Sequence, residues 1–190
     1  MRKMSFNNLD IEKTYCKEEF ANRISQIIVK RANESIKERG RFAFVLSSGS
    51  TPKYIFMDLA ENHKNSIEWS KVHFFWLDER CVEPSHKDSN YKLAYDHLIS
   101  KLESVGSVHR IKGEIYPNQA VKEYKLEMLN FFIDNEVEFD FVLLGMGEDG
   151  HVASLFPDAK ELQEKNKIVL STNKKYNGFY RITLSSNTIN

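Results

Sequence analysis

The sequence predicts a doubly wound α/β fold, a mostly parallel sheet with helices on both faces. Short, largely apolar runs recur at Phe42-Ala43-Phe44-Val45-Leu46, Val72-His73-Phe74-Phe75-Trp76-Leu77 and Phe139-Asp140-Phe141-Val142-Leu143-Leu144, the pattern of strands buried on both faces. Between them lie longer segments whose apolar residues repeat at helical spacing. Strands that alternate with helices imply parallel pairing through crossovers. A length of 190 residues gives room for one domain with its own core, and residues 1–190 are read as one.

Composition excludes several classes. The 27 basic and 27 acidic side chains balance, without a long run of either sign, so nothing in the charge pattern points to nucleic acid or a membrane surface. Any anionic ligand must therefore be held by a local site. Cys16 and Cys81 are far apart and lack CxxC spacing, which argues against a zinc knuckle or redox pair and suits a reducing, cytoplasmic setting. No signal-peptide core opens the chain, and no segment has the roughly 18 apolar residues of a membrane span.

In order, Lys17 to Arg39 reads as an amphipathic helix with Phe20, Ile24, Ile27, Ile28 and Ile36 on its apolar side and Gly40 as its cap. The run Phe42 to Leu46 is a buried strand ended by Ser47-Ser48-Gly49-Ser50-Thr51-Pro52. A helix is expected to start at Pro52, carried on by Tyr54, Ile55, Met57, Asp58 and Leu59, with the preceding hydroxyls capping its amides. A small-residue loop at a helix start has two readings: Ser50 or Thr51 is a plain cap, or the free amides and helix dipole bind an anion. No Gly-Lys-Ser/Thr occurs, which argues against a nucleoside triphosphatase.

The next strand, Val72 to Leu77, runs into Asp78-Glu79-Arg80. Arg80 either pairs with Glu79 or another acid, or its guanidinium fork grips a phosphate or carboxylate. Cys81 reads as a small packing residue, since no base is suggested beside it. Asn90 to Leu102 is a helix with Leu93, Ala94, Leu98 and Ile99 on one face and Ser89 or Asn90 as cap. Gln119 to Ile133 is another, with Val121, Tyr124, Leu126, Met128, Leu129 and Phe132. Lys167 to Leu170 and Tyr180 to Leu184 are strand candidates separated by the turn-rich Asn173 to Gly178.

The strand Phe139 to Leu144 leads into Gly145-Met146-Gly147-Glu148-Asp149-Gly150-His151-Val152-Ala153-Ser154-Leu155-Phe156-Pro157. Three closely spaced glycines cost backbone entropy, so such a loop serves a positive φ or a close approach of ligand to backbone. In open parallel sheets ligands bind at the carboxyl ends of strands, and a tight turn aims Asp149 and His151 into that crevice. The alternative is an ordinary glycine loop in which Asp149 caps a turn and His151 is merely exposed, because Gly-x-Gly alone is a weak signal.

With these residues in view, the chain resembles the 6-phosphogluconolactonase family, relatives of the glucosamine-6-phosphate deaminases and the ribose-5-phosphate isomerase-like enzymes. The family's Ser-Gly-Gly-Ser-Thr-Pro loop is similar to Ser47 to Pro52, with Ser48 where a glycine is usual. Its Asp-Glu-Arg and Asp-Ser-Asn-Tyr motifs resemble Asp78-Glu79-Arg80 and Asp88-Ser89-Asn90-Tyr91. Its Gly-x-Gly-x-Asp-Gly-His-x-Ala-Ser-Leu-Phe-Pro matches Gly145 to Pro157, and its Arg-x-Thr-Leu strand matches Arg181 to Leu184. The deaminases resemble the chain less well: they carry a tyrosine at Arg80 and a glutamate at Phe156.

The resemblance implies hydrolysis of 6-phospho-D-glucono-1,5-lactone to 6-phosphogluconate in the pentose phosphate pathway. It implies His151 as base, Asp149 orienting either the imidazole or the water, and a ligand site drawn from Ser48, Gly49, Ser50, Thr51, Asp78, Arg80, Asn90, Gly147 and Arg181. A phosphorylated sugar lactone is the implied partner. Neither cofactor nor metal is expected, because the ester is already activated and His63, His73, His86, His97 and His109 lack ligand spacing. The rival readings are a sugar-phosphate isomerase or deaminase and a non-catalytic sugar-phosphate sensor. Family members continue through a further helix and a last strand bearing a phosphate-binding lysine, so the chain is expected to be truncated at its carboxyl end.

Overall fold

The computed structural model describes residues 3–6, 9–132 and 136–190. A parallel sheet flanked by helices forms the body. Its strands are β3 (Phe42–Leu46), β4 (Val72–Trp76), β6 (Ser107–His109) and β7 (Phe141–Val142), in the order β6-β4-β3-β7. The central pair runs in register from Phe42↔Val72 to Leu46↔Trp76. Phe42, Phe44, Phe74, Phe75 and Trp76 are fully buried, as expected for strands covered on both faces.

Asp78-Glu79-Arg80, read from the sequence as a polar strand end, is a strand itself. β5 (Asp78–Arg80) joins β9 (Arg181–Leu184) and β8 (Val169–Ser171) in a separate antiparallel sheet, order β5-β9-β8. Leu77 is the seam. Its amide donates to Leu46 O (3.1 Å) in the first sheet, and its carbonyl accepts from Leu184 N (2.8 Å) in the second. An amino-terminal antiparallel hairpin, β1 (Lys3–Phe6) with β2 (Leu9–Glu12), was not expected from the sequence.

Helix α1 (Lys17–Arg39) has the predicted bounds; Ile28 is buried as expected, and Phe20, Ile24 and Ile36 pack against the core at the margin of the buried face. Ala21, Ser25, Ile28, Ala32 and Ser35 are its buried residues, whereas Phe20, Ile24, Ile27 and Ile36 are only partly covered. These buried residues, at alternating four- and three-residue spacing and all small except Ile28, let α1 pack closely on α2 (Ser50–Asn62) and β3. Helix α3 (Asn90–His97) is shorter than predicted and continues as a 3-10 turn at Ile99–Lys101 after Leu98 leaves helical geometry (φ −134°, ψ −67°). Helix α4 (Pro117–Phe131) starts two residues early on a proline suited to the first turn. Its predicted end, Ile133, lies outside the described residues, and Leu126, placed on the apolar face by periodicity, is 59% exposed.

Backbone accounting explains where strands stop. β6 ends opposite Phe75, so Trp76 has no ladder partner on that side. The Tyr124 hydroxyl replaces it, accepting from Trp76 N (2.9 Å) and donating to Trp76 O (2.8 Å). The ladder of β7 is only two residues long because side chains serve its entry: the Asp140 carboxylate accepts from Ala43 N (2.6 Å) and pairs with Arg39. The short helix α5 (Ser186–Ile189) is capped by Ser185, whose hydroxyl accepts from Thr188 N (3.3 Å).

Candidate active site

The loop after β3 meets the glycine loop after β7 at the carboxyl end of the parallel sheet. Between them lies a cavity of about 430 Å³, lined by Ser47 to Pro52, Asp78, Arg80, Leu144 to Gly147, His151, Ala153 and Phe20. Neighbouring parallel strands place these loops side by side, which is why residues nearly 100 positions apart converge.

Helix α2 begins at Ser50, not Pro52, and no side chain caps it: neither Ser50 nor Thr51 hydrogen-bonds its first amides. Gly49 precedes it at φ 105°, ψ −178°, a conformation open essentially to glycine alone. The amides that serine and threonine were expected to satisfy are therefore left to a ligand or solvent at the positive end of a 13-residue helix.

In the glycine loop, Gly147 N donates to His151 O (2.9 Å) and Gly150 N to Gly147 O (3.0 Å), folding the chain back on itself. His151 then lies over Gly147. A Cβ at position 147 would stand 2.2 Å from His151 Cε1 and 2.3 Å from Nδ1, so only glycine leaves room for the imidazole. The Asp149 carboxylate binds His151 Nδ1, and that hydrogen bond holds the acid below the usual carboxylate range. An ionised partner requires a proton on Nδ1. Nε2 is then the basic nitrogen, and it makes no hydrogen bond among the described residues.

Asp78 supplies a buried carboxylate, 3% exposed, held by Ser154 Oγ (2.6 Å) and Asn90 Nδ2 (3.1 Å). Asn90 is thus a buried support outside the cavity wall, as its further bond to Asp78 O (2.8 Å) emphasises. Glu79 faces the other way. It accepts from the amides of Arg80, Asn90 and Tyr91 and from the Ser89 hydroxyl, tying β5 to the start of α3, while burial pushes its carboxyl up to about 7.

Arg80 reaches the cavity with Nη1 bonded to Asp88 O (2.7 Å); it forms no carboxylate pair among the described residues, which removes the salt-bridge alternative. Arg181 is 6% exposed, stands opposite Arg80 in the β5–β9 register, and donates from Nη2 to Tyr176 O (3.3 Å). Burial, then the charge of Arg80, lowers its pKa. Cys81 is poorly placed for nucleophilic work, since burial pushes its thiol up to about 11.

The cavity therefore gathers Ser48, Gly49, Ser50, Thr51, Asp78, Arg80, Gly147 and His151. Asp149 stands behind the imidazole; Asn90 and Arg181 lie outside the lining residues. Sequence reasoning missed Phe20, Leu144 and Met146 in the wall and Ser154 as the partner of Asp78. Ser154 lay within a matched motif. Phe20 sits on a helix far away in sequence, and no local pattern marks it. Among the described residues no cluster of His, Cys, Asp and Glu is arranged to hold a metal, and no helix is long and apolar enough to cross a membrane.

At the strand ends of the parallel sheet, the uncapped start of α2 and the acid-held His151 together border a candidate small-molecule site. The chain belongs to the glucosamine-6-phosphate isomerase/6-phosphogluconolactonase family, which matches residues 16–190. It is 41% identical over 145 residues to 6-phosphogluconolactonase 3, chloroplastic, of Arabidopsis thaliana, covering 71% of this chain and 45% of that one. Identity to the 6-phosphogluconolactonase of Haemophilus influenzae is 40% over 149 residues, covering 76% and 62%. The chain thus spans between about half and three fifths of these relatives' lengths. Among solved structures, a 6-phosphogluconolactonase from Shewanella baltica superposes with a TM-score of 0.80 at 30% identity, covering 93% of this chain and 75% of that one.

Proposed function

We propose that this domain hydrolyses 6-phospho-D-glucono-1,5-lactone, with His151 as general base. The observation that carries the proposal is the Asp149–His151–Gly147 arrangement, in which an ionised acid fixes the tautomer and a missing side chain admits the ring. Relatives named 6-phosphogluconolactonase support the choice of substrate.

In this reading Nε2 takes a proton from water as the water oxygen bonds to the lactone carbonyl carbon. The tetrahedral intermediate then expels the ring oxygen, which receives the proton back from the imidazolium. Asp149 stabilises that imidazolium without itself being protonated. The phosphate lies on the free amides of Ser48 to Thr51 against Arg80 in the cavity wall, with Arg181 directly across the ladder behind it. Both guanidiniums have a buried Nε without a hydrogen-bond partner, and an anion between them offsets the repulsion of two like charges facing across a ladder. Asp78, steadied by Ser154 and Asn90, faces the sugar hydroxyls.

The test is acid release from freshly made phosphogluconolactone, corrected for its spontaneous hydrolysis, alongside ammonia release from glucosamine 6-phosphate. Lactone turnover without ammonia release supports the proposal. Ammonia release without lactone turnover assigns the site to the deaminase branch and overturns it.

A further inference from the structure

The imidazole of His151 is packed as well as hydrogen-bonded. Its ring centroid lies 4.6 Å from that of Phe156 at an interplanar angle of 31°. Phe156, itself buried, lies flat against Tyr176, 3.6 Å away and 2° from parallel. Tyr176 comes from the hairpin that joins β8 to β9, where it bridges to Phe179 around Asn177 and Gly178, both at positive φ. Arg181 ties this hairpin down through the Tyr176 carbonyl.

The hydrogen bond to Asp149 does not hold the ring by itself. The Asp149 side chain is 57% exposed, and pairing between exposed groups is weakened by water and by the entropy of holding both side chains. That bond decides which nitrogen carries the proton. It leaves the ring plane free to swing about the Nδ1 contact. A flat neighbour removes this freedom, because aromatic faces prefer a narrow range of offsets and tilts. Phe156 is that neighbour, and Tyr176 stops Phe156 from rotating away.

We propose that Tyr176 is a positioning residue. Through Phe156 it fixes the plane of the His151 imidazole so that Nε2 faces the cavity. Tyr176 does not line the cavity, and its flat contact is with the Phe156 ring. This rests on His151 being the base.

Three variants test it, Tyr176→Phe, Tyr176→Leu and Tyr176→Ala, each followed by lactone kinetics and by NMR of the His151 and Phe156 rings. Tyr176→Phe keeps the flat face and is expected to match the parent. The other two are expected to lower kcat about 10-fold, part of the roughly 100-fold that a 1 Å misplacement costs, with KM within about twofold and weakened ring-to-ring NOEs. Full kcat in Tyr176→Leu or Tyr176→Ala overturns the proposal. So does an equal loss in Tyr176→Phe, or a raised KM with kcat intact. Should Tyr176→Ala fail to fold, Tyr176→Leu retains apolar volume without a planar face and decides the question. Absence of the His151–Phe156 NOE in the parent protein overturns the proposal even without any variant. If the parent turns over no lactone, the proposed function falls, while the NMR spectra still decide the ring ladder.

Discussion

Arg80 and Arg181 face each other directly across the β5–β9 ladder, and each has a buried Nε without a hydrogen-bond partner. Two like charges in that position oppose folding, an effect that Asp78 and Glu79 partly offset and that the proposed phosphate would offset further. Arg181→Met keeps the apolar stem and removes one charge. It is expected to unfold no earlier than the parent, yet to bind 6-phosphogluconate about 10 to 100-fold more weakly, given roughly 1.5 to 3 kcal/mol for a charge-assisted contact. Affinity for unphosphorylated gluconate should hardly change. Thermal unfolding and calorimetric binding check both halves, and equal losses for the two ligands would make Arg181 a purely structural residue.

His151→Ala removes the basic nitrogen and leaves the amides of α2 and both arginines in place. Turnover should fall by about 100 to 10,000-fold, the range for loss of a general base, while 6-phosphogluconate still binds. Stopped-flow acid release and a binding titration on the same preparation separate the two effects. Near-parental turnover would remove His151 from the mechanism.

Gly147→Ala addresses the same ring without touching a titratable group. The new methyl would stand 2.2 Å from His151 Cε1 and must push the imidazole aside. Displacement of a reacting group by about 1 Å costs on the order of 100-fold in rate, so a loss of that size is expected with folding intact. Unaltered kcat in Gly147→Ala would show that the ring can shift at no cost.

Much of this was legible in the sequence because strong local signals and the fold agreed. The runs Phe42 to Leu46 and Val72 to Leu77 read as buried strands, and Phe42–Leu46 pairs with Val72–Trp76 as a parallel couple. The glycines around Asp149 and His151 marked a special loop at the strand end, where Gly147 leaves room for the imidazole and Gly150 takes a φ of 83°. Less legible were features set by partners distant in the chain. Asp78 to Arg80 looks polar and loop-like, yet it is a strand because Arg181 to Leu184 lies alongside it. The three-residue β6 carries two polar side chains, and only the adjacent β4 makes it a strand. The buried face of α1 was read only in part: Ile28 is buried and Phe20, Ile24 and Ile36 pack on the core, but periodicity in large apolar residues does not reveal Ala21, Ser25, Ala32 and Ser35, which close helix packing selected. Around the cavity, Phe20 and Ser154 acquire their roles only through tertiary contact.

A polar chain away from the cavity contributes to the response to acid. The Glu127 carboxylate accepts from His109 Nδ1 (2.9 Å), which leaves Nε2 of that ring to accept from the Ser107 hydroxyl (2.5 Å). Ser107 Oγ in turn accepts from His73 Nδ1 (2.7 Å). His73 packs against Phe131, and burial first, then the charges of His109 and Arg41, lower its pKa against a smaller opposing pull from Asp140. Above the ordinary histidine value of about 6.5 this residue is neutral in both folded and unfolded chains and contributes no pH dependence. As pH falls below that value the unfolded chain takes up a proton that the folded one resists, so stability declines until the folded group also titrates. Glu79, raised to about 7, acts in the opposite sense between pH 7 and its ordinary range, while His97, lowered by burial, acts in the same sense as His73, so the parent protein's net slope mixes several groups. His73→Asn keeps a donor for Ser107 and leaves Glu79 untouched. Urea unfolding at about pH 7.5 and 5.5 should therefore show a smaller loss of stability on acidification in His73→Asn than in the parent. Equal losses would mean that His73 titrates alike in both states and that its polar chain carries none of the acid sensitivity.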